Sequence, residues 1–136
     1  PNVVEWCPGR LRGKMTQPPL RIKRVYQPPD PQDGVRVLVD RLWPRGLSRE
    51  RAQIDLWLKE IAPSDALRHR FHGDPAGWED FKTAYYAELE RPPAQSAVRE
   101  LLDRLIREPV TLLFAARNES CNNAAALKEW LEDQVG

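Results

Sequence analysis

The most informative stretch of this chain is VRVLVDRLWPRGL, residues 35–47. Its opening residues are mostly apolar and β-branched, which predicts a strand over residues 35–42 that is buried in a sheet. Asp40, Arg41 and Arg45 follow that apolar run at once, in and beside a turn punctuated by proline and glycine. In open α/β sheets ligands bind where the strands end. The stretch therefore predicts a place for chemistry without naming a reaction.

The periodicity of the other segments predicts the remaining elements. Other strands are expected at residues 20–26 and 110–116, with a brief extended piece at 55–58. Helices are expected after the capping residues Ser48 and Ser64, and over residues 75–90, 94–108 and 122–133. The order strand, strand, helices, strand, helix predicts a single compact layered α/β domain, with a small, mainly parallel sheet covered by helices.

The length of 136 residues fits one domain. Residues 1–19 read as an N-terminal extension, and Met15 heads a more natural opening, so residues 1–14 are expected to be an upstream or non-native addition. Residues 20–136 would then form the α/β domain. Cys7 and Cys121 are too few and too far apart for a disulfide framework or a zinc site. No apolar stretch approaches membrane-spanning length and the start lacks a signal-peptide layout, so a cytoplasmic location without membrane contact is expected.

The charge of the chain is unevenly distributed. Residues 1–51 carry 11 Lys and Arg against 5 Asp and Glu, whereas residues 52–136 carry 10 against 15. Arginine outnumbers lysine by 16 to 5. Guanidinium groups suit bidentate recognition of phosphate or carboxylate, so the balance favours a phosphate-bearing small molecule or a nucleic acid as partner. The alternative is a compositional bias that encodes arginine wherever a surface cation serves.

Asp40 is the first candidate for catalysis. A carboxylate at the end of a buried strand could ligate Mg²⁺ or Mn²⁺, or act as a general base. The alternative is an internal salt bridge to Arg41, Arg45 or Arg117, which would lower the pKa of Asp40 and fix the turn. A single carboxylate does not make a two-metal site, so a metal requirement stays open.

The second group of candidates is AARNESCNN, residues 115–123, where a predicted buried strand runs into a helix start. Free N–H groups and the positive end of the helix dipole make such a place suitable for an anion. Arg117, Asn118, Asn122 and Asn123 are therefore candidate ligand-binding residues, alongside Arg41 and Arg45. The alternative is simple helix capping.

Cys121 is a further catalytic candidate, because a helix N-terminus favours the reactive thiolate. A nucleophilic cysteine also needs a base, and His69 and His72 are the two histidines of the chain. Their spacing places both on one helix face, where they could equally bind a metal or be solvated groups at a helix end.

Four motifs carry a family resemblance: RIKRVY (21–26), VLVDRLWPRG (37–46), LKEIAPS (58–64) and LLFAARNESCNNAAAL (112–127). In this order and spacing they resemble the YeaO-like family of bacterial proteins, a domain of unknown function. The resemblance implies a compact α/β domain and carries over Asp40, Arg45 and Asn122 as matching positions. Family members often have histidine at the positions of Cys121 and Asn123. If those histidines perform a reaction, the resemblance implies that this chain lacks it.

Three functions from different classes remain open at this point. The first is binding of a phosphate-bearing ligand, a nucleotide or a nucleic acid, at a strand-end pocket, with metal-assisted phosphodiester hydrolysis as a further step. The second is a non-enzymatic nucleic-acid binding module that uses the basic N-terminal half. The third is a partner-binding protein in which both polar groups of residues only brace turns. The oligomeric state is left open.

Overall fold

The computed structural model of the protein describes residues 20–71 and 75–135. Within these residues the strands are β1 (Leu20–Arg24), β2 (Val35–Leu38), β3 (Leu56–Trp57) and β4 (Val110–Phe114). The helices are α1 (Arg49–Ala52), α2 (Asp65–Phe71), α3 (Trp78–Leu89), α4 (Ala94–Leu105) and α5 (Asn123–Val135). The predictions for residues 1–19, for Cys7 and for His72 lie outside the described residues.

All four strands run parallel, in the order β1-β4-β2-β3. This confirms the predicted α/β class and the small parallel sheet. The central position of β4 follows from its sequence, VTLLF, because all five of its residues are buried. A strand that pairs on both edges and is covered on both faces needs such a continuous apolar run.

The two faces of the sheet pack against different layers. Val37 and Leu112 are paired across β2 and β4 and face the main core, which α3, α4 and α5 cover. Their chain neighbours Leu38 and Leu113 are also paired and face the other side, because successive side chains alternate along a strand. That second, smaller cluster includes Ile54 and is covered by α1 and by the half-buried rings of Trp43 and Trp57.

The predicted helix starts are confirmed by their caps. The Ser48 hydroxyl accepts a hydrogen bond from the backbone N–H of Arg51 at 3.1 Å, and the Ser64 hydroxyl accepts one from the N–H of Leu67 at 3.2 Å. These bonds satisfy N–H groups that the first helical turn leaves without partners. The predicted helices over residues 75–90 and 94–108 are shorter, as α3 and α4, because 3-10 and irregular turns occupy their ends.

Strand β2 ends at Leu38, four residues before the predicted end. The N–H of Val39 still bonds to the carbonyl of Leu113 at 3.1 Å. One residue later the carboxylate of Asp40 accepts the N–H of Ala115, so a side chain replaces the backbone as the partner of β4. The pairing between the strands therefore stops where the polar residues begin.

A buried ionic network lies at the opposite edge of the sheet. Asp33, which is 4% exposed, accepts hydrogen bonds from Lys23 at 3.0 Å and from Arg36, and its backbone carbonyl accepts one from the Thr111 hydroxyl at 2.8 Å. Burial alone would raise the pKa of Asp33, but hydrogen bonds from Lys23, the Asp30 N–H and Arg36 hold it below its usual value. The network ties the loop before β2 to the sheet.

In the part of the chain that the structure describes, no helix is long and apolar enough to cross a membrane.

Candidate functional site at the carboxyl ends of the strands

Polar side chains gather where β2 and β4 end side by side. The two strands are neighbours in the sheet, with Leu38 in register with Leu113. Because parallel strands end at the same edge, Asp40 after β2 comes next to Ala115 after β4. Helix α5 begins eight residues further along the chain, at Asn123. The topology thus brings together the two segments that the sequence singles out.

Asp40 connects these elements through its own hydrogen bonds. One carboxylate oxygen accepts the N–H of Ala115 at 2.8 Å, and the other accepts the Nδ2 amide of Asn123 at 3.0 Å. The backbone carbonyl of Asp40 accepts the indole N–H of Trp57 at 2.8 Å. The amide of Asn123 also donates to the carbonyl of Val39 at 3.0 Å. The Asp40 side chain therefore joins β2, β4 and α5.

The alternative in which arginine neutralises Asp40 is wrong for this structure. Burial raises the pKa of the Asp40 carboxyl above its usual value, although the hydrogen bonds from Asn123 and Ala115 and the charge of Arg68 oppose that rise. Desolvation disfavours the charged form of a carboxyl group, and neutral N–H donors compensate only in part. The charge of Arg68 lowers the pKa of Asp40, but by less than burial raises it.

Arg41 and Arg45 face the same cavity but make other contacts. The guanidinium of Arg41 donates to the carbonyls of Ala62 and Pro63 at 3.3 and 3.4 Å. It also lies 3.9 Å from the carboxylate of Asp65, which pairs with Arg68 at 2.7 Å. The turn that carries the exposed Arg45 is held by the Tyr26 hydroxyl, which donates to the Arg45 carbonyl at 3.1 Å.

The asparagines before and within α5 have distinct structural roles. The side-chain oxygen of Asn118 accepts the N–H groups of Ser120 and Cys121, both at 2.9 Å. Asn122 is buried and caps α5, since its side-chain oxygen accepts the N–H of Ala125 at 2.8 Å. Asn122 therefore acts as a helix cap, and Asn118 stabilises the loop before α5. Of these three asparagines, Asn123 alone donates a hydrogen bond to Asp40.

A cavity of about 620 Å³ opens at this edge of the sheet, and we refer to it as the strand-end cavity. Its volume lies in the range of small-molecule sites. It is lined by residues from the strand ends, the two polar turns, α2 and α3: Tyr26, Asp40, Arg41, Leu42, Trp43, Pro44, Arg45, Ala62, Pro63, Arg68, His69, Phe71, Trp78, Phe81, Ala115, Ala116, Cys121, Asn122 and Asn123.

Most of the candidate residues meet in this cavity. Asp40, Arg41, Arg45, Cys121, Asn122 and Asn123 all line it. Arg117 and Asn118 are exposed and are not among the lining residues.

Helices α2 and α3 contribute lining residues that the sequence pattern did not indicate. His69 was a candidate base or metal ligand, whereas Arg68, Trp78 and Phe81 were not candidates for the site. The sequence signal that could have indicated this part of the cavity is RHRF (68–71), in which cations at a helix end stand beside an aromatic residue.

The donor set of the cavity does not fit a metal centre. Of the lining residues that the structure describes, Asp40 alone carries a carboxylate, and both of its oxygens already accept hydrogen bonds. Across residues 20–71 and 75–135, no three His, Cys, Asp or Glu side chains come together in a way that could hold a metal ion. Magnesium and manganese prefer several oxygen ligands. Asp40 as a metal ligand and Cys121 as a nucleophile remain predictions.

Comparisons with known proteins cover nearly all of the described chain. A family profile described as "Inactive DUF488-N3 subclade" matches residues 19–136. The chain is 42% identical over 112 residues to the Uncharacterized protein YeaO of Escherichia coli (strain K12), which covers 82% of this chain and 96% of that protein. It is 38% identical over 112 residues to the Uncharacterized protein Rv3073c of Mycobacterium tuberculosis (strain H37Rv), covering 82% of this chain and 92% of that protein. No solved structure matches the chain.

Proposed function

The chain belongs to the family described as the inactive DUF488-N3 subclade, and we propose that it binds a small phosphate-bearing organic molecule in the strand-end cavity. One observation carries this proposal. Arg41, Arg45 and Arg68 come from two separate segments of the chain and line a single cavity at the carboxyl ends of parallel strands.

The charges of the cavity favour an anionic ligand. Three arginines face one lining carboxylate, and burial disfavours the charged form of that carboxylate. Guanidinium groups hold phosphate oxygens through paired, charge-assisted hydrogen bonds. The only contacts that compete for the guanidinium groups of Arg41 and Arg68 within the described site are backbone carbonyls and the exposed Asp65. A phosphate can therefore compete for these groups at low cost.

Binding without hydrolysis is the form of the proposal that the geometry favours. Phosphate-ester hydrolysis needs an activated water, through a metal or a free general base. Both oxygens of Asp40 are engaged with N–H donors, so this carboxylate is poorly placed to take a proton from water. The word "inactive" in the family description agrees with a binding role and names no reaction.

Isothermal titration calorimetry with ribose 5-phosphate tests the proposal. We expect measurable binding, and we expect Arg45→Ala and Arg68→Ala each to weaken it about tenfold or more, because each removes a charge-assisted hydrogen bond. The matched control is Arg99→Ala, which removes an exposed arginine of α4 that does not line the cavity.

Two outcomes would contradict the proposal: no heat of binding at millimolar ligand, or an equal loss of affinity in the Arg99→Ala control. Parallel titrations with Mn²⁺ and with EDTA address the metal-assisted alternative. Turnover of a phosphodiester that appears only with Mn²⁺ and disappears in Asp40→Ala would favour hydrolysis instead.

A further inference from the structure

Three aromatic rings form a continuous wall of the strand-end cavity. Phe71 lies at the end of α2, and Trp78 and Phe81 lie in the first turn of α3. The ring of Phe81 stacks with Trp78 at a centroid distance of 5.7 Å and meets Phe71 edge-to-face at 6.0 Å. All three are only partly buried, and all three line the cavity. We call these three side chains the aromatic wall.

Burial increases along α3 from the aromatic wall, which packs against the main core, into the core itself. Tyr85 and Leu89, further along the same helical stripe, are 0% and 1% exposed. The stripe thus begins in the cavity and ends in the core, and within the described part of the chain Trp78 and Phe81 keep part of their surface exposed. Aromatic surface left uncovered beside converging polar groups is the usual composition of a small-molecule site.

The position of the aromatic wall is fixed before any ligand arrives. A Cβ atom on Gly77 would lie 2.7 Å from a ring carbon of Phe71, so the ring packs directly on the backbone at the start of α3. The Lys82 ammonium lies 5.5 Å from the centre of the Trp78 ring, and Lys82 is itself held by Glu129 at 3.2 Å. A preformed wall binds a rigid ring with little loss of side-chain freedom.

We propose that the aromatic wall is the subsite for a planar ring carried by the same ligand, which makes the ligand a single nucleoside monophosphate. This inference rests on the proposed function, since the phosphate group is assigned to Arg41, Arg45 and Arg68. The cavity then matches an amphipathic ligand, with Arg41 and Arg45 in the turn after β2, Arg68 on α2, and the aromatic wall at the end of α2 and the start of α3. Stacking tolerates any base because every base has a flat apolar face.

A single nucleotide fits the site better than a nucleic-acid strand. Proteins that bind single strands use an extended basic groove with successive stacking residues. Here the aromatic wall and the arginines line one cavity of about 620 Å³, which is the size of a site for one small molecule.

Titration calorimetry on the full chain with AMP, UMP, ribose 5-phosphate and oligo(dT) of ten nucleotides separates the possibilities. We expect AMP and UMP to bind at least fivefold more tightly than ribose 5-phosphate, because only they carry a planar base that can stack. Trp78→Leu and Phe81→Leu should remove that advantage, so that AMP and UMP bind these variants no more tightly than ribose 5-phosphate does. Tyr86→Leu is the matched control, since Tyr86 is a half-buried aromatic residue of α3 that does not line the cavity.

The outcomes distinguish this inference from the function on which it rests. Equal affinities for AMP and ribose 5-phosphate would overturn the aromatic subsite while the phosphate site stands. Tighter binding of oligo(dT) than of AMP would overturn it in favour of a strand. Failure of every phosphate ester to bind would overturn both proposals. If a leucine variant fails to fold, the comparison of AMP with ribose 5-phosphate on the unmodified protein still decides.

Discussion

The carboxylate of Asp40 accepts hydrogen bonds from the N–H of Ala115 and the amide of Asn123, and its backbone carbonyl accepts one from Trp57. These bonds hold the ends of β2 and β4 and the start of α5 in fixed positions around the cavity. The same contacts leave Arg41 and Arg45 without a carboxylate partner at Asp40. At the scale of single residues, uncharged N–H groups of Ala115 and Asn123 therefore position the Asp40 carboxylate. Its neighbours Arg41 and Arg45 line the cavity.

We expect Asn123→Ala to lower the free energy of unfolding by about 1–3 kcal/mol, because buried acceptors on Asp40 and Val39 lose their donor. The pKa of Asp40 should rise further, since this hydrogen bond is a main factor that opposes the effect of burial. Urea unfolding and carboxyl ¹³C NMR titration measure the two effects.

Asn118→Ala is the matched control for this experiment. It removes bonds to the N–H groups of Ser120 and Cys121 but none to Asp40, so it should leave the Asp40 pKa in place. An unchanged Asp40 pKa in Asn123→Ala would contradict the assigned role.

The carboxylates of buried Asp33 and half-buried Asp40 should affect acid stability in opposite directions. The pKa of Asp33 is lowered by folding, so its contribution is present above the unfolded value of about 4 and is lost as the pH falls through the folded pKa. The pKa of Asp40 is raised, so the folded state binds its proton more tightly and stability declines as the pH rises from about 4 to the raised value.

Urea unfolding between pH 3 and pH 7 tests this opposition. We expect Asp33→Asn to cost about 3–5 kcal/mol at neutral pH, because it leaves Lys23 and Arg36 without their buried partner, and to remove part of the loss of stability in acid. Asp40→Asn should instead remove the decline above pH 4. Parallel pH profiles for the wild type and both variants would be inconsistent with these assignments.

At the scale of elements, Gly34 and Gly46 both have positive φ angles, of 68° and 75°. A Cβ atom on Gly34 would lie 2.3 Å from the carbonyl oxygen of Pro109, whereas a Cβ atom on Gly46 would meet nothing within 4 Å. Both positions therefore favour glycine because of their positive φ angles. Gly34 must also lack a side chain because the Pro109 carbonyl lies where a Cβ atom would be.

We expect Gly46→Ala to lower the free energy of unfolding by about 1–2 kcal/mol, the cost of a positive φ angle for an L-residue. Gly34→Ala should cost about 1–3 kcal/mol more, because the segment before β2 must move away from the start of β4. Thermal or urea unfolding measures both. Equal losses in the two variants would show that the contact with Pro109 has no energetic effect.

The elements themselves were largely predictable from sequence. The caps at Ser48 and Ser64 and the apolar run of β4 are local signals, and each appears in the structure where the pattern placed it. The direction of the Arg41 side chain was not predictable, because its partners Ala62 and Pro63 are 21 and 22 residues away in the sequence. The sequence also did not predict that Trp78 and Phe81 line the cavity while Tyr85 and Leu89 lie in the core. Periodicity shows that residues share a face of a helix, but it does not show what covers that face.

At the scale of the whole molecule, the excess of basic residues in the N-terminal half is a reason to test nucleic-acid binding. Residues 1–14 carry three basic residues and one acidic residue, and the lining residues that the structure describes begin at Tyr26. We expect deletion of residues 1–14 to weaken the salt-dependent binding of single-stranded DNA and to leave the affinity for ribose 5-phosphate unchanged. Filter binding at several salt concentrations and calorimetry measure these effects. Loss of ribose 5-phosphate binding in the shortened chain would place part of the site in the deleted segment.

The central position of β4 constrains when the protein can fold during its synthesis. Strands β1 and β2 do not pair with each other; each pairs with β4, and Leu20 is matched with Val110 ninety residues later in the chain. During synthesis β1 has no partner strand, and β2 lacks one of its two partners, until residues 110–114 leave the ribosome. Such a chain folds late and through long-range contacts. A fragment that stops before residue 110 should therefore be a substrate for chaperones and proteases instead of a smaller folded protein.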